Sequence, residues 1–286
     1  MNFKLVHECR DRFSIDRMCR VLHVSSSGYY AWKDRPASDR EQQNKLLAFH
    51  IRAIHNETDA TYGTPRITKE LNEAGIPCRK NRIARIKQKM GLRAIAAPRK
   101  FRCTTKAASD AVVSPDLVQR DFEAEKPNQK WVSDITYVPV GNDYVYLAVV
   151  MDLFSRKIVG WALRSSITTR LVSEALKKAC DERKPTKPLI FHSDRGSQYT
   201  SEHFKNALVE NGMLSSMGRK GDCFDNAVAE SFFSTIKKER LNRETYATPQ
   251  QAKRRIEHYI KFYNQRRRHS TLDQTSPDDF EQKHLP

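Results

Sequence analysis

Three acidic side chains, Asp134, Asp194 and Glu230, sit where acids are poorly solvated. Asp134 interrupts the apolar run "WVSDITYV", Asp194 ends the run "LIFHSD", and Glu230 shares a helical stretch, "CFDNAVAESFFSTIKKE" (223–239), with Phe232 and Phe233. At about 100° per residue, Glu230 and Lys237 fall within roughly 20° of each other, two turns apart beside the apolar face. An acid in an apolar setting requires a partner or a metal. Each acid also has an ordinary account on its own. Asp194 can cap the Arg195–Gly196 turn, and Glu230 can pair with Lys237 or Ser234. Taken together, and in this order of strand, strand and helix, the three point to shared chemistry. Carboxylate oxygens are the donors that Mg²⁺ prefers, and a few suffice because the ion keeps part of its water shell. Two such ions about 3.5–4 Å apart activate an attacking oxygen and stabilise the leaving one at a phosphodiester. Lys237 then stands where a cation would hold the nucleic-acid backbone.

The elements that must carry these groups are legible in the pattern of apolar residues. Residues 130–140, 144–155 and 157–165 are rich in β-branched and aromatic residues, and 141–143 (GND) is a hairpin signal. A helix over 168–184, a buried strand over 189–194, a helix over 201–212, a short strand around 213–217 and the Glu230 helix follow. In that helix Asp225 and Asn226 are placed to cap the start. This order predicts an α/β fold, a ribonuclease-H-like mixed sheet with flanking helices. Asp152 is expected to be structural, and His192 to bond locally.

Upstream lies an all-α, helix-turn-helix-like region. Residues 14–35 form a helix capped by Ser14, a break at His23–Val24, and a second helix capped by Ser25. Helices over 41–57, 64–75 and 81–91 make a second unit, the last with Ile83, Ile86 and Met90 inward and Arg82, Arg85, Lys87 and Lys89 outward. The expected division is therefore 1–40 helix-turn-helix-like, 41–94 second helical DNA-binding domain, 95–129 linker with one short helix, 130–245 catalytic core and 246–286 helical extension.

Charge names the class of partner. The chain of 286 residues carries 51 Lys+Arg against 34 Asp+Glu, a formal charge of +17. Residues 79–106 hold 11 of the basic side chains and no acid. A stripe of one sign is a footprint for nucleic acid. The longest apolar run, 144–151, is far short of the roughly 20 residues of a membrane helix. The start has no apolar signal-peptide core, so a cytoplasmic, nucleoid-associated bacterial protein is expected, without membrane contact. Six scattered cysteines with no CxxC pair argue for reduced thiols and against zinc.

The motifs "WVSDITYV", "HSDRGSQYTS", "SMGRKGDCFDNAVAESFFSTIKKE" and "YNQRRRHSTLDQTSPDDF" resemble the OrfB proteins of the insertion sequence 3 family. So do the upstream stretches "MCRVLHVSSSGYYAW" and "YGTPRITKELNEAGI". The 35 residues between Asp194 and Glu230, and Lys237 seven beyond, are similar to the acidic triad of DDE transposases and retroviral integrases. The resemblance implies a DDE polynucleotidyl transferase that nicks one element end and joins its 3′ hydroxyl to DNA beside the other end. Asp134, Asp194 and Glu230 would be both catalytic residues and ligands of two Mg²⁺ ions, with Mn²⁺ able to substitute. Lys237 would contact terminal DNA, and Arg267 is a further DNA-contact candidate beside Arg82, Arg85, Lys87 and Lys89. Implied partners are DNA (element ends and target), an upstream-frame OrfA product joined by frameshift fusion, and further copies of the chain on DNA. The rival expectations are a non-joining ribonuclease-H-like nuclease and an inert DNA-binding regulator.

Overall fold

The computed structural model describes residues 2–36, 38–95, 114–185, 188–218 and 227–285. Five strands form one sheet in the order β3-β2-β1-β4-β5: β1 Lys130–Val140, β2 Asp143–Asp152, β3 Ile158–Arg164, β4 Leu189–Ser193 and β5 Met213–Met217. β1, β2 and β3 pair antiparallel, whereas β4 joins β1, and β5 joins β4, in parallel. The parallel joins require crossovers, which are supplied by α7 (Thr169–Arg183), and by α8 (Ser197–Thr200) with α9 (Glu202–Glu210). This is the ribonuclease-H-like mixed sheet that the sequence predicts.

The period of two along β1 sorts its side chains. Val132, Val138 and Val140 join Leu147, Val149 and Met151 under α10 (Ala227–Ile236) and α11 (Pro249–Gln265). Trp131 faces the other way, with Ala148, Val150 and Val159, under α7 and α9. Both faces are covered, which accounts for the near-continuous apolar text of β2. Residues beyond 246 are part of this core: Ile256, Tyr259, Ile260 and Tyr263 of α11 share the cluster with β1 and β2. The last helix, α12 (Pro277–His284), is tied in by a buried network. Arg183 reaches Asp152 at 3.0 Å and Glu281 at 2.7 Å, and Ser155 Oγ donates to Glu281 at 2.6 Å. Asp152 therefore ends β2 as a structural acid.

Upstream, α1 (Asn2–Glu8), α2 (Ile15–Val21) and α3 (Ser26–Lys33) enclose a small cluster of Val6, Cys19 and Tyr29. Helix α1 has no counterpart in the sequence reading. Ser25 caps α3 through Gly28 N at 3.0 Å, whereas Ser14 stands at the start of α2 without a side-chain bond. Helices α4 (Asp39–Glu57), α5 (Thr64–Glu73) and α6 (Lys80–Lys89) pack around Ile51, Ile67, Leu71 and Ile83.

Three expectations need correction or fall elsewhere. No helix forms among the described residues 114–129. Ser114 and Leu117 lie beside β5, with Ser114 Oγ on Ser215 Oγ and Leu117 N on Ser216 Oγ, both at 2.9 Å, and residues 96–113 of the expected linker lie outside the described residues. The Glu230 helix does not continue regularly to 239, because Lys237–Leu241 widens into a π turn closed by Asn242 N on Lys237 O at 2.8 Å. The capping roles of Asp225 and Asn226 lie outside the described residues. The described cysteines Cys9, Cys19, Cys78 and Cys180 are free thiols. No described helix is long and apolar enough to cross a membrane.

Candidate active site

Asp134 is two residues along β1 from Val132, so it points to the same face, beneath α10. The parallel register pairs Trp131 with Phe191 and Val132 with His192. Carried two steps further, it sets Asp134 beside Asp194, which follows the last residue of β4. Glu230 arrives from above, on the first turns of α10, which packs on β1. Two adjacent strands and one covering helix thus bring together acids separated by up to 96 positions in the chain.

Their ionisation records the meeting. Desolvation, then the negative charge of Asp194, then that of Glu230 push the Asp134 carboxyl up to about 8, against a bond from Ile135 N at 2.8 Å and the charge of Lys237. Asp194 is raised by burial, opposed by Gly196 N donating at 2.9 Å. Burial raises Glu230 as well. Lys237 is lowered by burial and held up by Asp134, and its ammonium lies 4.4 Å from the Tyr137 ring. Among the described residues the acids and Lys237 form one electrostatic unit. The acids do not close into a ligand cage.

The basic side chains predicted to meet DNA divide. Arg85 and Lys89 are exposed on α6. Arg82 is half-buried and braced by Asn44 Oδ1 at 2.9 Å and Gln43 Oε1 at 3.3 Å. Lys87 is a correction: it is buried, its ammonium donating to Tyr62 O at 3.5 Å, and burial lowers its pKa. Helix α6 meets Tyr62 on the side where the linear pattern leaves only solvent.

Arg267 is a second correction. It is buried and holds Glu239 with two bonds, Nε at 2.8 Å and Nη2 at 2.7 Å, while Tyr259 donates to the same carboxylate at 2.7 Å. The neighbouring arginines work as a clamp on the α4–α6 unit. Arg268 binds Glu70 at 2.6 Å and Glu73 at 2.5 Å, Tyr62 Oη donates to Arg266 O at 2.7 Å, and Arg266 reaches Glu57 at 3.2 Å.

Comparison with known proteins gives the lineage. The family described as the integrase core domain matches residues 124–223, a second integrase core domain family matches 211–277, and an HTH-like domain family matches 41–101. An uncharacterized 31 kDa protein of insertion element IS600 from Shigella sonnei is 40% identical over 268 residues, 93% of this chain and 98% of that one. Transposase InsF of insertion sequence IS3A from Escherichia coli K12 is 38% identical over 288 residues, 100% of both chains. The chain belongs to the insertion sequence 3 family of transposases. It is a DNA-acting polynucleotidyl transferase with an integrase core. A chain of a simian T-cell lymphotropic virus intasome is similar at 14% identity and a TM-score of 0.48, over 82% of this chain and 74% of that one.

The family's chemistry is metal-dependent, and the donor set of the transposase suits a hard cation. Three carboxylates would supply oxygens only, and the Asp134 carboxyl, raised first by burial and then by the charges of Asp194 and Glu230, is relieved by positive charge. A neighbour that the chemistry-led reading passed over is Tyr199. It is fully buried, its hydroxyl 2.8 Å from Ser133 Oγ, and its ionisation is suppressed by burial and by Asp134 and Asp194. Its place inside "HSDRGSQYTS" was the available signal. His192 is buried with Nδ1 at 2.9 Å from Ser216 Oγ, a local bond that ties β4 to β5.

Proposed function

We propose that Asp134, Asp194 and Glu230 are the catalytic acids and metal ligands of a transposase that nicks the 3′ end of its element and joins it to a second phosphodiester. The convergence of Asp134 from the centre of β1, Asp194 from the end of β4 and Glu230 from α10 carries this reading, and the charges of Asp194 and Glu230 felt by the buried Asp134 support it. Divalent metal, two Mg²⁺ ions with Mn²⁺ as substitute, would activate the attacking oxygen and stabilise the leaving one. Asp134 supplies oxygen donors from the strand centre, where the sheet fixes its backbone. Asp194 is oriented by the Gly196 amide, and Glu230 by the packing of Phe232 and Phe233 beneath it. Lys237, set beside Asp134 by the end of α10, meets the DNA backbone, and Arg85 and Lys89 on α6 contact phosphates further out. No covalent intermediate with the protein is required.

The working division of the chain follows the same reading: 1–40 and 41–94 for DNA, 95–129 as connection, 130–245 for chemistry and 246–286 as a brace. The OrfA product, fused by frameshifting, and further copies of the chain complete the assembly on element ends and target, at the bacterial nucleoid. The test is a count of end-to-end circle junctions in cells holding the two element ends and this chain fused to its upstream frame. Asp194→Asn is expected to abolish junctions while binding to the ends persists. Junctions that survive in the variant would sink the assignment, and nicked ends without junctions in the wild type would favour a cutting nuclease.

A further inference from the structure

A cavity of about 330 Å³ lies where α5, α10, the β2–β3 turn and the segment after α11 meet. Its lining includes Arg66, Arg156 and Arg267, with Ser231 and Thr235 of α10 and Thr271 at the carboxyl-terminal side. Ser231 is the residue after Glu230, and Thr235 lies one turn beyond it on a different side of α10 from Glu230, at about 100° per residue. The cavity is therefore separate from the acid cluster and joined to it through one helix.

Its charges are unevenly compensated. Arg267 is satisfied by both oxygens of Glu239. Among the described residues Arg66 pairs with that same carboxylate alone, at 3.9 Å, and leans on the Tyr62 ring at 5.5 Å. Arg156 donates Nη2 to Phe122 O at 3.2 Å, and its buried Nη1 has no hydrogen-bond partner among the described residues. An arginine N–H left unpaired in a buried place is costly, and only an acceptor can relieve it. His269 lines the same space and stays neutral, since burial and the charges of Arg267, Arg66 and Arg156 push its pKa down to about 3. Neither guanidinium has a close hydrogen-bonded carboxylate among the described residues, Arg66 sharing Glu239 at a distance and Arg156 feeling Glu123 and Asp152 only through their charge, and two such groups with hydroxyls beside them are the donor set that recognises phosphate oxygens. The volume sits at the lower end of small-molecule sites, about 300–1,000 Å³, which is room for a nucleotide unit rather than a bare ion.

We propose that this cavity is a phosphate site for one nucleotide unit, anchored by Arg156 and Arg66 and rimmed by Ser231, Thr235 and Thr271. Such a unit can come from DNA or from a free mononucleotide, and the DNA source rests on the transposase reading above. The site would tie a DNA strand to the back of the helix that carries Glu230 and to α5 of the upstream unit at once.

The test uses the full chain with two probes, a deoxynucleoside 5′-monophosphate by calorimetric titration and a short element-end duplex over a salt series. Arg156→Gln removes the unpaired donor. Thr271→Glu, at an exposed position with no packing to lose, sets a negative charge at the rim. Both variants are expected to bind the mononucleotide at least tenfold more weakly than wild type. A DNA source is expected to lower the salt slope of duplex binding by about one in both variants. Loss of mononucleotide binding with an unchanged slope assigns the site to a free nucleotide. Variants that match wild type with both probes overturn the proposal. Asp194→Asn, tested alongside, is expected to keep both binding signals, so failure of the acid cluster and failure of this site are read separately.

Discussion

Replacing Glu239 by Gln removes one charge from a buried cluster and leaves another stranded. Glu239 is 6% exposed and Arg267 7%, and the carboxylate accepts two bonds from Arg267 and one from Tyr259. A glutamine keeps one acceptor oxygen, turns the other into a donor facing a guanidinium, and leaves Arg267 unneutralised. Breaking a buried pair from one side costs about 3–5 kcal/mol. At roughly 2–4 °C per kcal/mol for domains of 150–250 residues, the thermal midpoint is expected to fall by roughly 6–20 °C. The measurement is thermal unfolding followed by circular dichroism, with urea titration to recover the free energy. A second variant isolates the charge: Glu239→Leu combined with Arg267→Met replaces the pair by apolar groups of similar reach. It is expected to recover part of the loss, the remainder reflecting the Tyr259 hydroxyl left without an acceptor, about 1–3 kcal/mol. A Glu239→Gln chain that melts within about 2 °C of wild type, under 1 kcal/mol on the same scale, would show that the pair is hydrated and the reasoning wrong.

Two further outcomes follow from packing and titration. A Cβ at Gly160 of β3 would stand 2.2 Å from Ala175 O and 2.8 Å from Ala179 Cβ, so Gly160→Ala must push α7 off the sheet. The expected cost is about 1–3 kcal/mol, read as a lowered urea midpoint, and an unchanged midpoint would refute the close approach. His269, between the Tyr263 ring at 4.7 Å and Arg267 Nη1 at 3.3 Å, has a folded pKa near 3 against 6.5 when free. Because the folded value is depressed, its contribution is fully present above pH 6.5 and is lost as pH falls from 6.5 towards 3, by on the order of 5 kcal/mol in all. Stability curves of wild type and His269→Gln are expected to converge over that window, and parallel curves would exclude a neutral buried imidazole.

The sequence by itself determined the succession of strands and helices, the candidate acids and the lineage. Period two around Asp134, the turn at 141–143 and the helix over 168–184 are local signals, set by residues within a few positions of one another, and β1, β2 and α7 formed where they predicted. The candidate acids were legible because strand, strand and helix each carried one acid amid apolar neighbours. The fates of the arginines and of Lys87 were decided only by tertiary structure. In the text, 266–268 is a basic run like any DNA contact, and Lys87 is one charge among five on α6. Whether such a side chain meets solvent depends on what packs over it: Glu239 reaches Arg267 from 28 positions away, Glu70 reaches Arg268 from 198, and Tyr62 O reaches Lys87 from 25. No local rule encodes a partner at such separations, because it is the closure of the chain on itself that supplies the counter-charge and removes the water.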